Sequence, residues 1–355
     1  MRKLLIVVII FLLNDAFAGN PDRVGQSGAY ELNMNGWGRS SGLSHANVAY
    51  SFGVESFSTN ISGLAFTKGM EVYASHSLWL QGAGLSLSNV GIAKKIGESG
   101  GTVAAYISSF NQGEIAVTTY ENPEGTGAFY RPRFINGGVG YVKSFTNSIH
   151  GGVGVKFLNE SVANVSASSI CLDAGITYIG GKTDNIRFGI AIRNVGLSTK
   201  FKGEGLINRT TPSDAASDNI TLLNAYETDK FELPTQLLMG LAYSLKFNEK
   251  NKLTLMGQYT SNSFSNNKIG LGVEYDFKEF AQLRVAYGYE DNVFGKVDEP
   301  LLDKRVRNVY TGLALGGSVQ VPLGKGSASK LGLHYSFRPT QVYKGTHSFG
   351  LSFNF

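Results

Sequence analysis

Segments of about ten residues along this chain alternate between apolar side chains and small or polar ones, and a period of two is that of a β-strand. At the C-terminus His347, Phe349, Leu351, Phe353 and Phe355 share one face, and Ser348, Gly350, Ser352 and Asn354 the other. Leu331, Leu333, Tyr335 and Phe337 oppose Gly332, His334, Ser336 and Arg338 in the same way. Ile269, Leu271, Val273, Tyr275 and Phe277 oppose Gly270, Gly272, Glu274 and Asp276. Fourteen such segments are expected, at 70–80, 85–95, 102–112, 134–145, 149–158, 168–179, 186–195, 235–247, 252–261, 267–277, 281–290, 309–321, 330–338 and 346–355. The second loses its phase near Val90, which predicts a bulge there.

Two all-β architectures alternate like this. A soluble sandwich turns its apolar face inward, and a membrane barrel turns it outward to lipid. Segment length favours the barrel, because a tilted spanning strand needs about 9–11 residues and an average soluble strand has about 5–6. Charge favours it too. Lys156, Asp173, Arg187, Arg193, Glu274, Asp276, Arg284, Glu290 and Arg338 all fall on the Gly/Ser face. In hydrocarbon each would cost about 2–4 kcal/mol near the midplane, so that face is expected to line a lumen. Connection lengths give a third test. With the C-terminus in the periplasm, the turns 96–101, 146–148, 180–185, 248–251, 278–280 and 322–329 are periplasmic and short. The outer connections 113–133, 196–234 and 291–308 are the longest in the chain. The expected fold is an all-β, 14-stranded antiparallel transmembrane β-barrel over 70–355.

The N-terminus reads as an export address. Arg2-Lys3, an apolar run from Leu4 to Leu13 and Ala16-Phe17-Ala18 make a signal peptide over 1–18. The run is too short to span a bilayer as a helix, which takes about 20 residues. Residues 19–69 precede the first strand and carry Trp37, Tyr50, Phe52, Phe57, Ile61, Leu64 and Phe66, which seek burial. They are expected to form a plug or hatch inside the barrel rather than a disordered tail.

Little here points to chemistry. Cys171 is the one cysteine, and the five histidines lack metal-ligand spacing, so neither metal nor cofactor is expected. Gly175–Thr183 misses the phosphate-loop pattern by one inserted glycine and reads as a hairpin turn. No G-x-S-x-G occurs, and no enzyme is expected. The net charge of +5 is weak and dispersed, so nucleic acid is not an expected partner.

Short motifs add a family likeness. Gly38-Arg39-Ser40-Ser41-Gly42, Ala46-Asn47-Val48-Ala49 and Asn60-Ile61-Ser62-Gly63-Leu64-Ala65 resemble the N-terminal hatch of FadL-type outer-membrane proteins, with Ile61-Ser62 where that family has Pro-Ala. Gly97-Glu98-Ser99-Gly100, Thr118-Thr119, Asn122-Pro123-Glu124-Gly125 and Glu232-Leu233-Pro234 resemble the PorV/PorQ branch of Bacteroidetes-type bacteria. The resemblance implies a FadL-like barrel integral to the outer membrane, in contact with its lipid and lipopolysaccharide. It also implies a role in type IX secretion, in a hetero-complex with the translocon and with exported proteins that carry a C-terminal signal domain.

Two sets of residues are candidates for function. The outer loops carry Tyr130, then Phe201, Leu206, Ile207, Leu222, Leu223 and Tyr226, then Val293, Phe294, Leu301 and Leu302. Exposed apolar clusters mark partner surfaces, unless the loops fold on one another. The lumen charges Lys156, Asp173, Arg187, Arg193, Glu274, Arg284 and Arg338 either hold the plug or line a solute path. Two functions follow. One is cargo docking through the loops. The alternative is a FadL-like diffusion channel for hydrophobic solutes.

Overall fold

The computed structural model describes residues 23–97, 100–210, 221–278, 280–290, 309–324 and 329–355. The strands in chain order are β1 (Met70–Trp79), β2 (Leu85–Lys95), β3 (Thr102–Asn111), β4 (Ile115–Ala116), β5 (Phe129–Tyr130), β6 (Arg133–Ser144), β7 (Ile149–Val162), β8 (Val165–Gly180) and β9 (Ile186–Gly196). They continue as β10 (Ile207–Thr210), β11 (Leu222–Ala225), β12 (Gln236–Asn248), β13 (Asn251–Asn262), β14 (Lys268–Phe277), β15 (Ala281–Glu290), β16 (Leu313–Pro322), β17 (Lys330–Arg338) and β18 (Thr346–Asn354). The pairs β4–β5 and β10–β11 are small separate hairpins. The other fourteen close one antiparallel barrel, sealed where β1 pairs with β18 from Glu71↔Asn354 to Leu78↔His347. Among the described residues no helix is long and apolar enough to cross a membrane.

The alternation faces opposite to that of a soluble sandwich. Val139, Leu271 and Leu283 are 61%, 62% and 65% exposed on the outer face, whereas inward Thr254, Ser336 and Ser348 are fully buried. An apolar belt of this kind is stable only against hydrocarbon. Exposed Tyr141, Phe145, Tyr178, Phe247, Tyr275 and Phe280 form a girdle at one rim. That rim is the short-turn end, where β1 begins, β18 stops and 96–97, 100–101, 145–148, 181–185, 249–250, 278, 280, 323–324 and 329 lie. The other rim, the loop end, carries 112–132, 197–210, 221–235 and 309–312.

The phase break near Val90 is not a bulge. β2 pairs without a shift with both β1 and β3. Leu87 faces inward because the lumen is apolar at that point, where it packs with Trp79 and Phe110. The register shifts occur instead around Asp173 in β8 and near the end of β12.

Residues 23–69 run through the interior from the loop end to the short-turn end. Near its start, the Gly28 N–H donates to the Glu232 carbonyl (3.2 Å), just ahead of β12. At its end, the Gly69 carbonyl accepts from the Lys95 N–H (2.8 Å). Between them lie four 3-10 turns, Tyr30–Asn33, Ser40–Leu43, Gly53–Ser58 and Ile61–Phe66. Trp37, Leu43, Val48, Val54, Phe57, Ile61 and Leu64 are buried, while Phe52 and Phe66 stay half-buried. The inward glycines make this possible by leaving room for another backbone. A Cβ at Gly140 would lie 2.7 Å from Ile61 Cδ1, and one at Gly270 would lie 2.1 Å from the His45 carbonyl oxygen.

Gly189 gives a direct check. A Cβ there would meet the Val48 carbonyl at 2.5 Å and Ala49 Cα at 2.7 Å, and backbone atoms yield poorly. Gly189→Val is expected to cost about 1–3 kcal/mol by overpacking. Gly317→Val is the control, since its Cβ would have nothing nearer than 3.9 Å. It should stay within about 0.5 kcal/mol of the parent, read from the thermal midpoint of the folded form's gel mobility.

Candidate functional site

At the loop end the 197–235 connection builds its own hairpin. β10 and β11 pair from Ile207↔Ala225 to Thr210↔Leu222, and the Tyr226 N–H donates to the Leu206 carbonyl (2.8 Å). Leu206, Ile207, Leu222, Leu223 and Tyr226 therefore share one unit. Period-two geometry splits them, with Ile207 and Leu223 on one face and Leu222 on the other. Leu222, Leu223 and Tyr226 are exposed at 50%, 67% and 64%. Phe201 stands apart, its ring centroid 5.5 Å from that of Phe231, which packs on the buried cluster of Ala29, Leu32, Leu158, Cys171 and Leu233. Half-buried there, it packs the loop against the barrel. Tyr130 belongs to the other hairpin, opposite Ile115. Val293, Phe294, Leu301 and Leu302 lie outside the described residues.

Bridges tie the hairpin's flanks down. Ser166 pairs with Lys202 and Thr199 with Phe231, while the Arg23 guanidinium meets Glu232 at 2.9 Å. The N-terminal segment thus begins beside this loop.

Among the ion pairs of the described lumen, two centres of charge reach the N-terminal segment. In the first, Lys156 pairs with Asp173, and the Lys156 ammonium donates to Asn194 Oδ1 (3.1 Å). The Asn194 N–H donates to Asp173 Oδ1 (2.9 Å), across from the register shift at Asp173. Arg193 stands 3.9 Å from Asp173 and donates to Gln236 Oε1 and to the Leu32 carbonyl, each at 3.1 Å. In the second centre, Arg284 meets Glu274 at 2.5 Å and donates to Ser318 Oγ (2.7 Å). Arg39, from the interior segment, reaches the same Glu274 at 3.1 Å and Glu55 at 2.8 Å. Two carboxylates beside it hold Arg39 firmly charged despite its burial. Each centre therefore ties the N-terminal segment to the wall, through Leu32 in one and Arg39 in the other.

Arg187 and Arg338 do not join these ion pairs. Arg187 sits against Phe66, Tyr50 and Phe52, at 4.7, 5.2 and 5.2 Å from the ring centroids. Arg338 stacks 3.9 Å above Tyr310. Their inward position is as expected, but their partners are π-faces rather than carboxylates. Arg39 and Glu55 were missed by the strand reading because they belong to no strand. The available signal was their isolation: Glu31, Arg39 and Glu55 are the only carboxylate, lysine or arginine side chains between Val24 and Thr67.

A polar cavity bounded by Asn33, Ser40, Asn47, Arg193, Gln258 and Arg338 measures about 20 Å³, room for roughly one water. Nearby, burial and then the adjacent Glu160 raise the Glu31 carboxyl. Burial, with Lys268 adding to it, lowers His45, favouring the neutral imidazole. Among the described residues no group of three His, Cys, Asp or Glu is placed to hold a metal ion.

No family model matches the chain, and no curated protein matches it. Solved structures do. A deltaS2S3 mutant of TodX, a monoaromatic hydrocarbon channel, aligns at a TM-score of 0.53 and 15% identity, over 91% of this chain and 100% of that one. The toluene transporter TodX of Pseudomonas putida aligns at 0.52 and 13% identity, over 90% of this chain and 97% of that one. The toluene transporter TbuX of Ralstonia pickettii aligns at 0.51 and 13% identity, over 90% and 98%. These matches speak to the FadL-like fold and not to the narrower PorV/PorQ branch. At such low identity they establish the fold alone: the chain shares the fold of these channels, a closed 14-stranded antiparallel barrel.

Proposed function

We propose that the protein is an outer-membrane barrel stoppered by its own N-terminal segment, with its short turns in the periplasm, working from its loop end as a PorV-like docking platform. Its partners on this reading are the type IX translocon and exported proteins with a C-terminal signal domain. The observation that supports it is the interior: a segment held by Arg39 on Glu274 and by Arg193 on the Leu32 carbonyl runs through the lumen, and the cavity beside it is a polar void of about 20 Å³. The hairpin that presents Leu222, Leu223 and Tyr226 supplies apolar contact at the rim. The reading assigns no catalytic step.

A second reading keeps the same barrel as a diffusion channel for hydrophobic solutes, with residues 23–69 as a movable hatch. The fold shared with the TodX and TbuX channels favours it.

Mild-detergent purification of the tagged barrel, with partners identified by mass spectrometry, separates the two. Docking predicts translocon subunits or exported proteins with the signal domain in the wild-type eluate. It further predicts their loss, by about ten-fold or more, in the variant L222S/L223S/Y226S, in line with truncated hot spots worth at least about 1.4 kcal/mol. A barrel that purifies alone, with uptake of a monoaromatic hydrocarbon that depends on it, supports the channel.

A further inference from the structure

The outer wall carries an apolar trough of about 600 Å³ across β2, β3, β6 and β7, within the size range of small-molecule sites. Register explains its shape. Ile92, Ala105, Val139 and Val155 stand in one row across the four strands. Ala105 is the small member among branched neighbours, so it forms the floor. The next row toward the short-turn end is Lys94, Val103, Tyr141 and Val153. The wall is also thin here. Gly91, Gly140 and Gly154 place no side chain inside, and Val54 and Ile61 approach the backbone directly.

We propose that this trough holds one acyl chain of a glycerophospholipid, with the lipid phosphate on Lys94. The lining is apolar apart from Lys94, which closes one end, and the Tyr141 hydroxyl, which donates to the Gly100 carbonyl. That end lies at the aromatic girdle, where Tyr141 and Phe145 mark the depth of the head groups. Lys143, exposed on β6 beyond Tyr141, adds a second ammonium at the same depth. An exposed lysine pair at the head-group level complements a phosphate, each contributing attraction near a charged surface. The chain then runs up the trough past Val103 and Ala105 and covers the stretch where only backbone separates lipid from Val54 and Ile61. A neutral hydrocarbon has no group for Lys94. The inference rests on the barrel lying in a bilayer, whether its loop end docks cargo or its lumen conducts.

The test uses the full barrel reconstituted in vesicles of phosphatidylglycerol and phosphatidylethanolamine. Flotation checks insertion, and native mass spectrometry after exchange into mild detergent counts retained phospholipid. Wild type should float and keep bound phospholipid. Ala105→Phe fills the trough from the lipid side without touching the interior, and should lower retention about ten-fold. Lys94→Gln with Lys143→Gln should lower phosphatidylglycerol retention about three-fold or more, with gel mobility showing both variants folded. Retention unchanged in Ala105→Phe would overturn the proposal. So would displacement of the lipid by added toluene, which would assign the trough to a neutral solute. Failure to float would remove the bilayer reading and the lipid site with it.

Discussion

Arg39→Ala is expected to lower stability by about 3–5 kcal/mol, the cost of leaving buried carboxylates without their cation. Arg39 is the one side chain that joins Glu55 of the interior segment to Glu274 of β14. Both carboxylate side chains are 3% exposed or less, so water cannot replace the guanidinium. Glu274 keeps Arg284, but among the described residues Glu55 is left with only the Ser40 N–H at 3.0 Å. Arg39→Lys should fall between, because an ammonium does not reproduce the two-armed fork that reaches two carboxylates at once. The thermal midpoint of the folded form measures the loss. Limited proteolysis between residues 23 and 69 shows whether the interior segment is released before the strands melt. Parent-like stability in Arg39→Ala would refute the latch.

Lys156→Met should cost a similar 3–5 kcal/mol, for a different connection. Lys156 is 1% exposed, and its ammonium joins Asp173 to Asn194 at the register shift between β8 and β9. Without it Asp173 retains the Asn194 N–H and an Arg193 too distant, at 3.9 Å, to compensate. Adding Asp173→Asn removes the unpaired charge and keeps an acceptor for that N–H. The double variant should recover most of the loss, and the double-mutant cycle reads the coupling directly. If the second change brought a further, additive loss, the pair would have no coupling and the account of this centre would be wrong.

The barrel was legible because its rule is local. Each strand must put apolar side chains toward lipid and small or polar ones inward, so alternation at residues such as Leu331–Phe337 shows which face looks out and which looks in. The strand expected from 309 begins at Leu313, because Gly312 adopts φ 88° and ends the preceding turn. Leu87 misled because the lumen is not uniformly polar: an inward leucine beside Trp79 and Phe110 looks in sequence like a slipped register. The interior segment was legible as buried but not as latched. Arg39 and Glu274 are separated by most of the barrel in sequence, and no period relates them. Arg187 and Arg338 were placed inward correctly, but which aromatic ring each meets depends on how the 3-10 turns pack, and that packing has no sequence period.

The central claim is that the interior segment stays in place while the protein works. A disulfide between Ala46→Cys and Gly272→Cys tests it most directly. Ala46 Cβ lies 3.0 Å from where a Cβ on Gly272 would stand, a little closer than the ~3.5–4.5 Å of a relaxed bridge. The natural Cys171 is buried and does not compete. Partner recovery and hydrocarbon uptake would be measured on the oxidised and reduced forms. The account predicts that the oxidised barrel recovers the same partners at the same level as the reduced one. Activity that disappears on oxidation and returns with reductant would mean that residues 23–69 must move, and would contradict it.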